Sequence, residues 1–269
     1  MDRLTIKLFG PFQVAVNDSL IVNFSTEKER ALFTYLVLEQ GFPHRRESLS
    51  SLFWPERSET LARQNLRQAL YKIRRAIDDH CQLTARIQVI NDEVRYNPQV
   101  GDQVDVYTFT SLLNVCKEHH QGVRLCTECV SRLQIALGLY RGEFLAGFSL
   151  SDSSQFEWWS FNKKETFHRQ ALNALSLLGK YYLQQGNFTQ AADIAQKKIV
   201  LEPWRESAYR LLMLSLALQG QRGEALRQYE TCNKILNKEL GVNPSEETIR
   251  LYQRIRNELP LHNELLEEN

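Results

Sequence analysis

The stretch LARQNLRQALYKIRRAID, residues 61–78, decides the fold of the first part of this chain. On a helical wheel it has one apolar stripe, which consists of Ala62, Leu66, Ala69, Leu70, Ile73 and Ile77. The opposite face holds Gln64, Gln68, Tyr71, Lys72 and Arg75, with Arg63, Arg67 and Arg74 on one flank. Five residues between Leu61 and Ile77 are basic and none is acidic. The pattern predicts an amphipathic helix of about 25 Å that could lie in a DNA major groove, although a merely solvated polar face would show the same pattern.

The segments around this helix predict a winged helix-turn-helix. Upstream, Thr26 and Glu29 have capping-box spacing at the start of one helix, and residues 47–53 form a second, short helix. Downstream, RIQVI and EVRYN are separated by Asn91-Asp92, which is typical of a β-hairpin. Before all three helices, LTIKLFG, FQVAV and LIVNF are short β-type runs joined by tight turns. A leading sheet of this kind is similar to the OmpR type of winged helix in particular.

Residues beyond about 105 have no β pattern and are predicted to be helical. The predicted helices are 105–118, 125–140, 154–185, 188–201, 205–219, 222–240 and 245–258. An offset of 34 residues superimposes Ala174 on Ala208, Leu178 on Leu212, Gly186 on Gly220 and Ala191 on Ala225, which is the period of tetratricopeptide repeats. The predicted fold class is therefore an α+β winged helix-turn-helix with a leading antiparallel sheet, followed by an all-α tetratricopeptide-like domain.

Length and composition are those of a globular chain of about two domains, with 269 residues of which 43% are hydrophobic and 24% charged. No apolar run reaches the roughly 18 to 20 residues that a membrane span needs, and MDRLTIKLFGPF lacks the apolar core of a signal peptide. A cytoplasmic location without a membrane partner is therefore expected. The sequence has no GxxxxGK loop, no HExxH and no GxSxG, which argues against an enzyme.

Longer motifs resemble a known family. LFGPFQV, HRRESLSSLFWP, ARQNLRQALYKIRRAI, LYRGEFLAGFSLSDS, FEWW, LEPWRESAYRLLM and ELGVNPSEET are similar to the Streptomyces antibiotic regulatory protein family and its larger relatives. The resemblance covers residues 1 to about 257. It implies an OmpR-type DNA-binding domain at residues 1–100, a bacterial transcriptional activator domain at 104–258 and a tail at 259–269.

The resemblance also implies a function. Such proteins are transcriptional activators that bind double-stranded promoter DNA at repeated elements and contact RNA polymerase, and homo-oligomers on direct repeats are an open alternative to a monomer. In many relatives a nucleotide-binding sensor module follows the two domains. Whether this chain is the N-terminal output module of a larger signalling protein also stays open.

The resemblance places the recognition helix at residues 63–77. The candidate DNA-binding residues are Arg63, Asn65, Arg67, Gln68, Lys72 and Arg75 on this helix, Arg95 on the hairpin and Arg46 before the second helix. Arg reads guanine, Gln and Asn read adenine, and Arg or Lys neutralises phosphate. The wheel favours Gln68, Lys72 and Arg75, since Arg63 and Arg67 lie at its edge and could instead pair with an acid. Arg86 is a further candidate on the hairpin, and residues 44–46 either hold the DNA backbone or form a plain N-terminal turn.

A second candidate site is the stretch NVCKEHHQGVRLCTECV, which holds three of the chain's five cysteines and two of its six histidines. Cys116 precedes His119 and His120 by three and four positions, and Cys126 and Cys129 form a CxxC pair. Three thiolates and one imidazole complete a tetrahedral structural zinc site. The sequence therefore predicts zinc held by the three cysteines and one of the two histidines. The alternative is that these residues are half-buried and pack beside neighbouring leucines.

A tetratricopeptide scaffold with an adaptor at its front is the alternative to a DNA-binding protein. It predicts that salt would not affect function, whereas DNA binding through several phosphates weakens steeply with salt. Phe156, Trp158 and Trp159 are expected to pack in the core or between domains rather than to form a ligand site.

Overall fold

The structure, a computed structural model, describes residues 3–21, 24–78, 86–119 and 125–261, without the side chains of Ile21, Asp78 and His119. The strands are β1 (Leu4–Lys7), β2 (Gln13–Val16), β3 (Ser19–Ile21), β4 (His44–Arg45), β5 (Ile87–Ile90), β6 (Glu93–Tyr96) and β7 (Gln103–Val104). The helices are α1 (Glu27–Leu38), α2 (Arg46–Phe53), α3 (Glu59–Asp78), α4 (Asp105–His119), α5 (Thr127–Leu139), α6 (Ser154–Gln184), α7 (Phe188–Leu201), α8 (Glu206–Leu218), α9 (Arg222–Leu240) and α10 (Glu246–Arg256). These elements confirm the predicted fold class.

The chain divides into two compact units. The first contains residues 1–112 and 138–168, and the second contains residues 113–137 and 169–269. The contacts thus divide the chain differently from the sequence motifs, since residues 138–168 pack with the first hundred. The domain boundaries at 100, 104 and 258 stay a prediction.

The leading sheet of the first unit has the strand order β3-β2-β1-β7. β1 and β2 pair antiparallel with Ile6 opposite Val14. The β2–β3 turn uses Asn17 and Asp18, whose left-handed φ angles of 48° and 67° suit a tight hairpin. β7 adds a parallel strand next to β1. The sequence gives no sign of this strand, because two residues are too few to show a period.

The helix α1 begins at the predicted cap. The Thr26 hydroxyl accepts a hydrogen bond from the Glu29 amide at 3.3 Å. The Glu29 carboxylate accepts hydrogen bonds from the Ser25 amide at 2.8 Å and from the Ser25 hydroxyl at 2.9 Å, so it reaches back to the residue before the cap. At the other end, the Tyr107 hydroxyl donates to the Val37 and Leu38 carbonyls at 2.9 Å. Both ends of α1 are therefore fixed by side chains.

The predicted hairpin forms the wing and is part of a second sheet of order β4-β6-β5. Asn91 takes a left-handed φ of 55° at the β5–β6 turn, and Val89 pairs with Val94. Val94 and Tyr96 are buried, and the Tyr96 ring meets the Phe33 ring of α1 edge to face at 6.1 Å. The inward side of the hairpin is thus anchored on the three-helix core.

A buried carboxylate at the start of α4 holds the end of β1 in place. The Asp105 side chain accepts hydrogen bonds from the Leu8 amide at 2.9 Å and the Phe9 amide at 3.1 Å. It also pairs with Arg141 at 2.9 Å. Burial raises the pKa of Asp105 above its ordinary value, because these bonds and the Arg141 charge offset only part of the desolvation.

The segment after Arg141 runs beside residues 8–10 and bonds to their backbone. Leu145 donates to the Leu8 carbonyl at 2.8 Å, and Gly10 donates to the Glu143 carbonyl at 2.9 Å. A Cβ at Gly142 would approach the Gly10 Cα to 3.4 Å, so this contact suits glycine. The LYRGEFL motif therefore packs against the start of the chain and bonds to its backbone.

Aromatic rings fill the space behind this contact. The Phe9 ring lies 4.9 Å from Tyr140 and 5.4 Å from Phe167. Phe156 is fully buried, and Trp159 packs on Tyr35 at 5.1 Å, while Trp158 is 71% exposed. The prediction that the FEWW aromatics pack in the core or between domains is thus wrong for Trp158, because adjacent helix positions point in different directions.

The second unit shows the 34-residue repeat in its packing. Ala174, Leu178 and Ala191 are buried, and so are their counterparts Ala208, Leu212 and Ala225. Gly186 and Gly220 both take left-handed φ angles, 73° and 77°, where α6 and α8 end. At Gly179 a Cβ would come within 2.6 Å of the Leu211 side chain, so the absence of a side chain lets α6 and α8 approach closely.

A lysine lies on the buried face of α7. Lys198 is only 4% exposed. Burial, together with the positive charges of Arg205, Lys180 and Arg210, lowers its pKa from the ordinary value of 10.5 to about 8. Charged Lys198 therefore costs stability in the folded state.

Replacement of Asp105 by asparagine should destabilise the first unit by about 2 to 4 kcal/mol, because in either amide orientation at least two donors would face the new NH₂ group. Urea unfolding followed by tryptophan fluorescence measures this, since Trp54, Trp158 and Trp159 belong to that unit. The control is Asp152→Asn, which removes an exposed carboxylate from a pair with Lys28 and should change stability by less than about 1 kcal/mol. Equal losses in the two variants would contradict the role given to Asp105.

Replacement of Lys198 by methionine should stabilise the second unit by roughly 2 to 3 kcal/mol at neutral pH, since each pKa unit corresponds to about 1.4 kcal/mol. The folded-state pKa lies below the unfolded one, so the penalty is complete below pH about 8 and disappears as the pH rises to about 10.5. Chemical denaturation between these pH values measures the gain. Lys197→Met, at the exposed neighbouring position, is the matched control, and a gain independent of pH would contradict the explanation.

Candidate nucleic-acid interface

The helix α3 has the two faces that the sequence predicted. All six residues of the apolar stripe, from Ala62 to Ile77, are buried. The solvent face carries the exposed side chains of Gln64, Arg67, Gln68, Tyr71, Lys72 and Arg75. From Leu61 to Ile77 no acidic residue interrupts this face. It is therefore a basic and amide-rich surface on the second helix of a helix-turn-helix.

Lys72 is held over a buried carboxylate. Its ammonium lies 3.3 Å from the Glu29 carboxylate and donates to the Ser25 hydroxyl at 3.4 Å. Glu29 is 2% exposed. Burial would raise the pKa of Glu29, but hydrogen bonds from Ser25, Thr26 and Lys72 outweigh this, so the pKa lies below its ordinary value. Lys72 therefore has a fixed position, and about half of its side chain remains exposed.

A cavity of about 200 Å³ lies beside Lys72. It is lined by Thr26, Lys28, Glu29, Trp54, Asn65, Gln68, Ala69 and Lys72. Asn65 is half-buried and belongs to this cavity rather than to the fully exposed face. The cavity places the amides of Asn65 and Gln68 beside two lysines.

Lys28 is the cavity residue that sequence reasoning missed. Its ammonium donates to the Phe53 carbonyl at 2.8 Å, pairs with Asp152 at 2.6 Å and lies 5.4 Å from the centre of the Trp54 ring. It thereby ties the first turn of α1 to the end of α2. The available signal was its place two residues after the Thr26 cap, where a lysine opposes the helix dipole and so needs another partner.

The flanking arginines have different surroundings. Arg63 pairs with Glu59 at 3.0 Å, one turn away. This is the pairing with an acid that was the alternative to DNA contact for a residue at the edge of the wheel. Arg74 donates to the Ile87 carbonyl at 2.9 Å and so joins α3 to the wing. Arg67 and Arg75 are exposed.

The wing contributes one exposed arginine and one buried arginine. Arg95 of β6 is exposed, as predicted. Arg86 is buried and makes a two-point contact with Asp102, in which both N–O distances are 2.8 Å. The prediction that Arg86 faces DNA is therefore wrong. The guanidinium has a buried carboxylate partner sixteen positions away, which no local pattern reveals.

Residues 44–46 form β4 and the start of α2. His44 makes a hydrogen bond of 3.1 Å through Nε2 with the Glu39 carbonyl and packs on Tyr35. Arg45 is exposed, and the half-buried Arg46 donates its amide to the Asp92 carbonyl at 2.9 Å. The segment is thus a strand that attaches the wing to α2. Contact of Arg46 with DNA remains a prediction.

The cysteine stretch lies in the second unit. The Cys116 thiol of α4 donates to the Cys129 carbonyl at 3.6 Å, and the Cys129 amide donates to the Cys126 sulfur at 3.4 Å. His120 and the side chain of His119 lie outside the described residues. Within residues 3–21, 24–78, 86–119 and 125–261, no group of three or more His, Cys, Asp or Glu side chains is arranged to hold a metal ion.

In the part of the chain that the structure describes, no helix combines the length and apolar character that crossing a membrane requires.

Three helices followed by a β-hairpin, with a basic face on the third helix, define a winged helix-turn-helix protein. Comparisons with known proteins agree. The family model "Bacterial transcriptional activator domain" matches residues 104–256. The solved structure of Mycobacterium tuberculosis EmbR in complex with a low-affinity phosphopeptide has a TM-score of 0.73 at 20% identity, and the match covers 97% of this chain and 67% of EmbR. This likeness shows that the two chains share a fold.

Two curated relatives are regulators. The regulatory protein AfsR of Streptomyces griseus is 25% identical over 260 residues, which are 94% of this chain and 24% of AfsR. The transcriptional regulatory protein MoaR1 of M. tuberculosis is 23% identical over 265 residues, which are 94% of this chain and 79% of MoaR1. This chain therefore spans about a quarter of the length of AfsR. Both names describe regulators rather than enzymes, which supports the prediction that the chain is not an enzyme.

The chain belongs to the bacterial transcriptional activator domain family, and these relatives confirm its predicted membership of the Streptomyces antibiotic regulatory proteins.

Proposed function

We propose that this protein is a sequence-specific DNA-binding transcriptional activator that inserts α3 into the major groove of promoter DNA. The observation that carries the proposal is the solvent face of α3, where Arg67, Gln68, Lys72 and Arg75 are exposed and no acid intervenes. The apolar stripe of the same helix is buried against the winged-helix core. Only the polar face is therefore left for a ligand.

The side chains divide into groups that read bases and groups that hold phosphates. Gln68 and Arg75 have the planar amide and guanidinium that pair with adenine and guanine edges. Lys72 is a point charge fixed by Glu29, which suits a phosphate contact more than a base contact. Arg95 on the wing and Arg46 at the start of α2 are further phosphate contacts in this proposal.

The rival function, a tetratricopeptide scaffold, is less consistent with α3. A scaffold needs no uninterrupted basic face on a helix-turn-helix, and like charges on one helix destabilise it slightly. The tetratricopeptide-like helices of the second unit fit both functions. In the proposed activator they present surfaces to protein partners.

Contact with RNA polymerase is the second part of the proposal and rests on membership of the activator family. Polymerase contact by a protein bound to DNA would convert binding into activation. The number of copies on a promoter is left open in this proposal, and a footprint on repeated elements would count them.

DNA binding is tested by selecting duplexes from a random-sequence library with the full purified chain. The enriched duplex is then titrated by fluorescence anisotropy at several salt concentrations. Gln68→Ala and Arg75→Ala should each weaken binding by about 1 to 3 kcal/mol, or roughly 5- to 150-fold. Arg95→Ala should reduce the slope of log affinity against log salt by about 1.

Lys197→Ala, an exposed lysine of the second unit, is the matched control and should bind within about twofold of the parent. The proposal fails if no duplex is enriched. It fails equally if the folded Gln68→Ala, Arg75→Ala double variant binds the enriched duplex as tightly as the parent.

Polymerase contact is tested by single-round transcription with bacterial RNA polymerase on a template that carries the enriched duplex upstream of a weak promoter. The parent chain should increase the amount of transcript, and Arg75→Ala should not, because it no longer occupies the site. Full occupancy of the template with no increase would refute polymerase contact and leave the DNA-binding proposal intact.

A further inference from the structure

A buried lysine of the second unit has no partner for its charge. Lys198 lies in the last turn of α7 and is only 4% exposed. No described residue makes a hydrogen bond or an ion pair with its side chain. Lysine is almost never buried without a partner, because an unpaired charge is costly outside water. The proposed DNA-binding activity makes no use of this residue, which belongs to the helical unit.

The charges around Lys198 are mostly positive. Burial lowers the pKa of Lys198, and the positive charges of Arg205, Lys180 and Arg210 lie close enough to contribute to this decrease. The carboxylate of Glu202 opposes it. Lys198 therefore belongs to a cluster of cations drawn from α6, α7, the α7–α8 link and α8.

The acids near this cluster are engaged by other groups. Glu202 pairs with the Arg205 guanidinium. Arg210 has its own partner in Glu247, at 3.1 Å. Lys198 and Arg205 therefore share the carboxylate of Glu202, and the cluster keeps an excess of positive charge.

The start of α8 adds a second positive feature. α7 and α8 pack against each other and are joined by residues 202–205, so the last turn of α7, with Lys198, lies beside the first turn of α8. The N-cap residue Arg205 makes no side-chain cap hydrogen bond. The Glu206 carboxylate accepts instead from the amide and hydroxyl of Ser245, both at 2.8 Å. The first amides and the dipole of α8 therefore favour an anion at this end.

The cluster is open to small molecules. The Nζ atom of Lys198 is not among the fully shielded side-chain atoms of the described residues that lack a hydrogen-bond partner, so it still reaches solvent. Beside it, the side chain of Arg205 is 45% exposed, and Trp204 is 49% exposed. Because Lys198 itself is nearly buried, a small anion fits better than a folded protein surface.

We propose that Lys198, Arg205 and the first amides of α8 bind the phosphate group of a small ligand, either inorganic phosphate or a phosphate ester. Lysine, arginine and the amides at a helix N-terminus are common donors to phosphate. A phosphate ester carries close to two negative charges and three acceptor oxygens, which matches donors that converge from α7, the link and α8. The bound phosphate supplies the negative charge that Lys198 needs and fastens α7 to α8.

The test measures melting of the full chain by circular dichroism with inorganic phosphate as the probe. Phosphate should raise the melting temperature of the parent by at least about 2 °C above its value in potassium chloride of equal ionic strength. Lys198→Met should lose this response. Because that variant removes an unpaired buried charge, it should be at least as stable as the parent without phosphate, so the lost response does not reflect unfolding.

Lys197→Met, at the exposed neighbouring position, is the matched control and should respond to phosphate as the parent does. No rise in the parent would overturn the proposal. Equal rises in the parent and in Lys198→Met would overturn it too, because phosphate would then act elsewhere on the chain, for example on the basic face of α3.

Calorimetric titration identifies the donors. Arg205→Gln should weaken phosphate binding by at least about tenfold, since it removes a charged donor. The matched control is Arg227→Gln, because Arg227 makes the same kind of pair with an acid three positions earlier in its chain, Glu224, and is exposed. It should bind phosphate as the parent does. Unchanged affinity in Arg205→Gln would refute the site.

The same titration distinguishes the ligands. Tighter binding of glycerol phosphate than of inorganic phosphate would support a phosphate ester as the ligand, and the reverse order would support inorganic phosphate. Acetate should bind at least about tenfold more weakly than either, because a carboxylate carries one charge and two oxygens. Acetate binding as tightly as phosphate would overturn the assignment of a phosphate ligand.

Discussion

The first unit depends on one buried carboxylate. Asp105 accepts the amides of Leu8 and Phe9, and Arg141 balances its charge. These contacts join the first ten residues to the start of α4 and to the segment that follows α5. Because the raised pKa of Asp105 shows that desolvation is only partly offset, the contact is costly by itself. The aromatic rings around Phe9 and the backbone hydrogen bonds of residues 143–146 add to this contact. Together these interactions fix where the leading sheet lies.

The position of α3 follows from that arrangement. Tyr107 of α4 donates to the last carbonyls of α1, and α1 in turn presents Glu29 to Lys72. The basic face of α3 is therefore supported from beneath by a buried acid and from the side by the wing, through Arg74. Such support reduces the side-chain entropy that binding would have to overcome. The basic residues of the helix are therefore not equally available for contact with DNA.

The helical unit is stabilised mainly by close packing of its helices. Its repeat places small residues, such as Ala191 and Ala225, at equivalent buried positions, so neighbouring helices approach closely. Lys198 departs from this pattern as a charged group on a buried face, and its lowered pKa shows the resulting penalty. Cys116 and Cys129 of the first hairpin are buried in the same unit.

The sequence by itself determined the fold class, the ends of most helices and the two faces of α3, because helical and β periods are local and each period selects one buried face. It also identified the candidate DNA contacts Gln68, Lys72 and Arg75, all of which are exposed. Only the tertiary structure decided the strand β7, the burial of Arg86 against Asp102 and the pairing of Lys72 with Glu29. It likewise decided that residues 138–168 pack with the first hundred. Each of these depends on residues far apart in the chain, and the free energy of a buried ion pair or a completed sheet edge exists only when the fold has brought both partners out of water.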